Sequence, residues 1–277
     1  MTYKTILLVI DAGRHENDLT AAADLCAAAD GHLSVLVVKL AAPPPVGELA
    51  AMSVAWLDER ARDKEHLHKA VEKARTTLKD LGISFDANGM YSEMAWADDD
   101  IGERARYADI TLIGASLKMD SPLRSRAIDG ALFYSARPVL LATNRQSVTL
   151  RPKKVLLAWN STIEAARAAR EALEMMESAE EVNVVLVDPA AALAKNGEEP
   201  GADVATYLAR HGIKVTVDRL PSAGRRVDEV LNQHALDTSA DLIVIGAYGH
   251  TRLRERIFGG VTKAMIEAPI VPVLMVH

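Results

Sequence analysis

The chain has 277 residues, of which 49% are hydrophobic and 25% charged; 32 basic against 38 acidic side chains leave a formal net charge of −6. Such a composition excludes wholesale disorder and collagen-like repetition, and the acidic balance argues against DNA or an anionic membrane as a general partner. Aromatic residues are only 4%, so alanine, valine and leucine must fill the core.

The apolar run Ile6–Ile10 ends at Asp11, too short for a signal-peptide core or a membrane span. A single cysteine, Cys26, cannot form an internal disulfide. A soluble protein of a reducing compartment, the cytoplasm, is the expectation.

Taken in chain order, apolar runs at 5–10, 33–38, 110–113 and 138–142 predict buried parallel strands, with a weaker one near 83–87. Helices are predicted at about 15–29, 50–81, 96–107 and 126–136. The second half gives strands near 154–159, 182–187, 213–218, 241–245 and 271–276, and helices near 162–177, 201–211, 225–238 and 260–267.

The two halves share three segments in the same order. Lys4–Asp11 parallels Lys153–Asn160, Ala108–Ala115 parallels Ala240–Ala247, and Arg137–Leu141 parallels Val271–Met275. Matched segments at slowly drifting offsets indicate a duplicated domain. The expected domains are 1–146 and 152–277, joined by the polar stretch Gln146–Pro152. Alternating strands and helices predict an α/β fold made of two tandem, doubly wound, five-stranded parallel-sheet domains of Rossmann-like type.

In an open parallel sheet, ligands sit beyond the carboxyl ends of the strands where strand order reverses. At that place the second half reads Gly246-Ala247-Tyr248-Gly249, then nine residues, then Gly259-Gly260-Val261-Thr262 and a helix. Glycines let main-chain amides approach an anion, and a helix start adds unpaired N–H groups. His250, Arg252, Arg254 and Arg256 place positive charge between the glycines, an arrangement that suits a polyphosphate. The plain alternative is turn geometry and a solvated basic loop. No Walker A pattern occurs.

Gly246-x-x-Gly249-x9-Gly259, between the strand Leu242–Ile245 and a final Pro272–Met275 strand, resembles the universal stress protein family. In that family's ATP-binding members the signature is G-x-x-G-x9-G-[ST], and the likeness extends over nearly the whole chain as two tandem domains. The resemblance implies an adenine nucleotide α-hydrolase-like fold in each half. It also implies pairing of the two halves through their last strands, so that either a monomer or a homodimer is feasible. The cofactor it implies is ATP, with Mg2+ as an optional companion. Asn160, Val187, Gly246, Gly249, Arg252, Gly259, Gly260, Val261 and Thr262 would form the site, with Val187 against adenine.

Two residues depart from the pattern: Asn160 stands where an aspartate is common, and Gly260 where a Ser/Thr hydroxyl would touch phosphate. Losing one such hydrogen bond costs about 0.5–1.5 kcal/mol, roughly tenfold in affinity. In the first half Leu117 replaces the second glycine, Ser125 and Arg126 replace the next pair, and the loop is two residues shorter. No ATP site of the usual kind is expected there; an empty, structural or otherwise adapted site are the alternatives.

Other residues carry plainer expectations. His66 and His68, two apart on a helix, point to different faces and do not form a metal pair. Cys26 reads as a buried filler, Asp98–Asp100 as a helix start, and Asn160 or Ser161 as a helix cap with Glu164 in the first turn. Asp188 could face a ribose or cap a loop, and the ridge Met52, Trp56 and Arg60 reads as core, with a partner surface as the alternative.

The leading function is therefore a nucleotide-binding stress-response sensor without efficient turnover, whose ATP occupancy is read by protein partners. An adenylating enzyme is less favoured because no glycine/serine-rich loop follows either first strand, where the chain reads Ala12-Gly13-Arg14 and Ser161-Thr162. A nucleotide-independent module binding protein or a lipid-like ligand is the remaining alternative.

Overall fold

A computed structural model describes residues 3–13, 15–43, 54–117, 121–189, 199–248, 260–267 and 269–277. The chain divides into two compact units, Met1–Arg137 and Pro138–His277.

The first unit is built on four parallel strands: β1 (Thr5–Asp11), β2 (His32–Ala41), β3 (Ser84–Glu93) and β4 (Ile110–Ile113). Their order is β3-β2-β1-β4. Ile6–Ile10 and Ile110–Ile113 are buried throughout, as strands covered on both faces require. Helices α1 (Glu16–Ala29) and α2 (Val54–Asp80) pack on each other and on β1–β3. Helices α3 (Ala97–Ala105) and α4 (Pro122–Asp129), with a π-helical turn over Gly130–Tyr134, form a second group on β3 and β4.

Three details differ from the sequence expectations. Strand β3 runs for ten residues rather than five. Its alternating polar residues are those of a sheet border, which hides the apolar signal. Helix α4 starts four residues earlier than expected, because Pro122 occupies its first turn, where a fixed φ and a missing N–H do no harm. The Trp56–Arg60 ridge is not core. The Arg60 guanidinium lies 4.7 Å from the Trp56 ring centre and 5.1 Å from that of Tyr91, while the buried stripe of α2 is Leu67, Val71, Ala74 and Leu78. Met52 lies outside the described residues.

The second unit contains β5 (Val139–Leu141), β6 (Lys154–Ala158), β7 (Glu181–Val187), β8 (Val215–Leu220), β9 (Leu242–Gly246) and β10 (Val273–Val276). Their order is β5-β10-β9-β6-β7-β8. All pairs are parallel except β5 with β10, where Leu140 faces Leu274. The strand expected to close the first domain thus belongs to the second unit, through its pairing with β10. The helices are α5 (Ile163–Glu171), α6 (Leu173–Glu177), α7 (Ala202–Arg210), α8 (Val227–Asp237) and α9 (Gly260–Glu267).

The repeated Ala-Asp pair has a structural reason. Asp109 accepts the main-chain N–H groups of Lys4 and Thr5, both at 2.8 Å. Asp241 accepts those of Lys153 and Lys154 at 2.8 and 3.0 Å. Each aspartate, in the turn from a helix into β4 or β9, fastens the entry to β1 or β6 by giving its two amides an acceptor.

Candidate functional site

In the second unit the chain leaves β6 toward β7 on one side and later returns to β9 on the other, so strand order reverses between β6 and β9. The crevice beyond their carboxyl ends is the ligand position of an open α/β sheet. Asn160 follows β6 and is exposed; its Oδ1 accepts the Thr162 N–H at 3.3 Å and the Thr162 hydroxyl at 2.8 Å. Thr162, in extended conformation, caps α5 by accepting the Ala165 N–H at 3.3 Å. The cap is therefore Thr162, not Asn160 or Ser161, because Ser161 turns with φ 59°, outside the extended region a cap needs. Glu164 lies in the first turn as expected.

Gly246 closes β9 directly against α5. A Cβ there would stand 2.8 Å from the Glu164 carbonyl oxygen and nearer still to the Ala165 amide nitrogen. Glycine is thus demanded by helix-to-strand packing, whatever it does for a ligand. Beyond it the chain turns at Tyr248, whose φ is 64°, and the Tyr248 N–H donates to Thr262 Oγ1 at 3.4 Å. Thr262 is buried, Val261 half-buried and Gly260 exposed at the start of α9. A Cβ on Gly260 would meet nothing within 4 Å. The starts of α5 and α9 therefore both flank the end of β9. Gly249, Arg252 and Gly259, like His250, Arg254 and Arg256, lie outside the described residues.

Val187 ends β7, half-buried and in register with Leu220. Asp188, next in the chain, has φ 47° and accepts the Ser222 N–H at 3.0 Å. It thus caps the loop, and the Ser222 hydrogen bonds hold its carboxyl below the usual range. Cys26 is fully buried, which pushes its thiol up to about 12 and leaves it inert at neutral pH. Asp98, Asp99 and Asp100 occupy the first turn of α3.

The corresponding place in the first unit lies between β1 and β4 and is built differently. Leu117 is buried, and its N–H donates to Gly114 O at 3.3 Å. Ser125 and Arg126 sit inside α4 rather than at a helix start; Arg126 pairs with Asp98 at 3.2 Å. A charged cluster that the sequence reading missed fills the crevice. The Asp18 carboxylate accepts the Ser116 N–H at 3.2 and 3.3 Å. His15 Nε2 lies 2.5 Å from Asp11 Oδ1, and its Nδ1 lies 3.6 Å from Asp18 Oδ2. Arg124 donates to Leu117 O at 3.3 Å.

Burial works against the charged imidazole, but the Asp11 hydrogen bond and the Asp18 carboxylate outweigh it and raise His15 to about 9. Desolvation likewise lowers Arg124, with the Asp18 charge opposing. The only signal in the sequence was the spacing Asp11, His15, Asp18 at the start of α1, which without the fold is an ordinary polar helix entry.

No helix among the described residues is long and apolar enough to cross a membrane. Residues 151–277 match the family model "Universal stress protein family". No curated protein matches the sequence significantly. Among solved structures, the chain is similar to a universal stress protein from Archaeoglobus fulgidus DSM 4304. The TM-score is 0.69 and the identity 16%, over 98% of this chain and 95% of that one. It is also similar to a putative universal stress protein from Pseudomonas aeruginosa UCBPP-PA14, at TM-score 0.60 and 18% identity, over 99% and 93% of the two chains. A functionally unknown protein from Pseudomonas aeruginosa PAO1 matches with TM-score 0.60 and 18% identity, over 99% and 92%. At these identities the structures speak for the fold, which extends over both repeats, and the family model speaks for the second. The match to the universal stress protein family is thus carried by residues 151–277.

Proposed function

We propose that the second repeat binds an adenine nucleotide, ATP, in the crevice between the ends of β6 and β9, and that occupancy rather than efficient turnover is its output. The observation that carries this reading is the convergence of two helix starts on the end of β9. α5 abuts Gly246, and α9 is tied to Tyr248 through Thr262. Helix starts present unpaired N–H groups and a positive dipole end, the chemistry that holds phosphate oxygens.

The residues present fit such a ligand. Gly260 begins α9 with open space where a Cβ would lie, so an oxyanion can reach its main chain. Thr262 Oγ1 is engaged as an acceptor and fixes the helix start rather than reaching outward. Asn160, exposed at the end of β6 and held by its contacts to Thr162, is placed to hydrogen-bond a ribose or phosphate. Val187 offers an apolar edge for adenine. Gly249, Arg252 and Gly259 supply the rest of the proposed loop, with Mg2+ as an optional companion of the phosphates. When bound, the triphosphate would supply negative charge that the helix starts and the basic loop neutralise. The protein acts by holding it.

Melting the purified protein with and without ATP tests this. A ligand at 100 times its dissociation constant stabilises by about 2.7 kcal/mol, so the transition should rise clearly. Gly249→Leu should abolish the rise, while Leu117→Ala should leave it intact. No ATP response, with no nucleotide released on denaturing the protein, favours the nucleotide-independent interaction module. Pyrophosphate release with candidate acids favours the adenylating enzyme.

A further inference from the structure

We infer that the first repeat carries a latent oxyanion site occupied by the protein's own Asp18 carboxylate. The crevice between β1 and β4 is where an open α/β sheet takes its ligand, and a carboxylate already stands there. It accepts the Ser116 N–H, the main-chain donor just past the end of β4, at 3.2 and 3.3 Å. A Cβ on Gly114, the last residue before that turn, would collide with the same carboxylate. At Gly246 of the second unit the nearest atoms are instead those of the α5 main chain.

The surroundings of Asp18 are those of an anion site rather than of an incidental salt bridge. Asp18 is 5% exposed, His15 6% and Arg124 2%. Buried charges persist only when compensated; the Asp18 carboxylate has the His15 imidazole beside it, and its charge also acts on the buried Arg124. His15 Nδ1 makes no hydrogen bond among the described residues; at 3.6 Å from Asp18 Oδ2 it contributes charge without a short contact. An oxyanion slightly larger than a carboxylate would close that gap. Away from Asp18, toward α2, Asp11 and His15 line a small cavity with Lys73 and Ala74, about 20 Å³ in volume, room for a single water. The first repeat is therefore self-liganded. While Asp18 is in place, its carboxylate takes the Ser116 N–H that an anionic ligand would need.

The test is calorimetric titration of the full-length protein with inorganic phosphate, comparing wild type, Asp18→Ala and Asp18→Ala/Arg124→Leu. Asp18→Ala should gain one saturable phosphate site over wild type, and the double variant should lose it again. Equal phosphate stoichiometry in wild type and Asp18→Ala overturns the inference, as does an added site that survives loss of Arg124. Should Asp18→Ala not fold, Asp18→Asn preserves the shape and removes the charge. Its phosphate titration is read in the same way: a site gained over wild type and lost again in Asp18→Asn/Arg124→Leu supports the inference, and an unchanged stoichiometry overturns it. These comparisons differ only in first-repeat residues, so they stand or fall independently of ATP binding by the second repeat.

Discussion

The main-chain N–H of Tyr248 donates to the Thr262 hydroxyl, joining the end of β9 to the first turn of α9 across the fourteen-residue interval that contains the glycine loop. One side chain thus holds α9 at the sheet end where the proposed ligand would lie. Thr262→Val keeps the shape and removes the acceptor. It should lower stability by about 0.5–1.5 kcal/mol in denaturant unfolding and weaken any ATP-induced rise in melting temperature by more than Thr206→Val, whose exposed hydroxyl serves only its own helix.

The two glycines flanking the loop should respond oppositely to alanine. At Gly246 the added methyl meets the α5 main chain, which cannot yield cheaply, so Gly246→Ala should cost about 1–3 kcal/mol or more. At Gly260 there is open space and a helical start, so Gly260→Ala should be neutral or stabilising by up to about 1 kcal/mol. Paired urea titrations check both.

Stability should fall in alkaline solution through His15. Its folded value, about 9, lies above the ordinary 6.5, so the folded state binds the proton more tightly than the unfolded one. The contribution, up to about 3 kcal/mol, is complete below pH 6.5 and is lost as pH rises through 9. Unfolding free energies of wild type and His15→Gln, measured from pH 6 to 10, should differ most at the acid end and converge at the alkaline end.

The Ala-Asp pairs should act alike in both repeats. Asp109→Ala and Asp241→Ala each strip two main-chain N–H groups of a charged acceptor. Each should cost about 2–3 kcal/mol, readable by thermal or chemical unfolding, whereas Asp237→Ala, which accepts one exposed Gln233 amide, should cost little.

Much of the fold was legible because strands buried on both faces write themselves as unbroken apolar runs. Ile6–Ile10 and Leu242–Ile245 needed no other clue. β3 was half-hidden because a border strand mixes Asp86, Asn88 and Ser92 among its apolar residues. The site was legible only where it is glycine. Gly246 could be picked out, but its reason, contact with α5, lies in a distant segment. The Thr162 cap was displaced by the left-handed turn at Ser161, which no propensity forecasts. The Asp11–His15–Asp18–Arg124 cluster joins residues more than a hundred positions apart, and single-sequence reasoning has no signal for such a meeting.

The most direct measurement of the central claim is the stoichiometry of ATP bound by the intact chain in equilibrium dialysis. One nucleotide per chain, retained in Leu117→Ala and lost in Gly249→Leu, is the predicted result. None bound, or two, would contradict it.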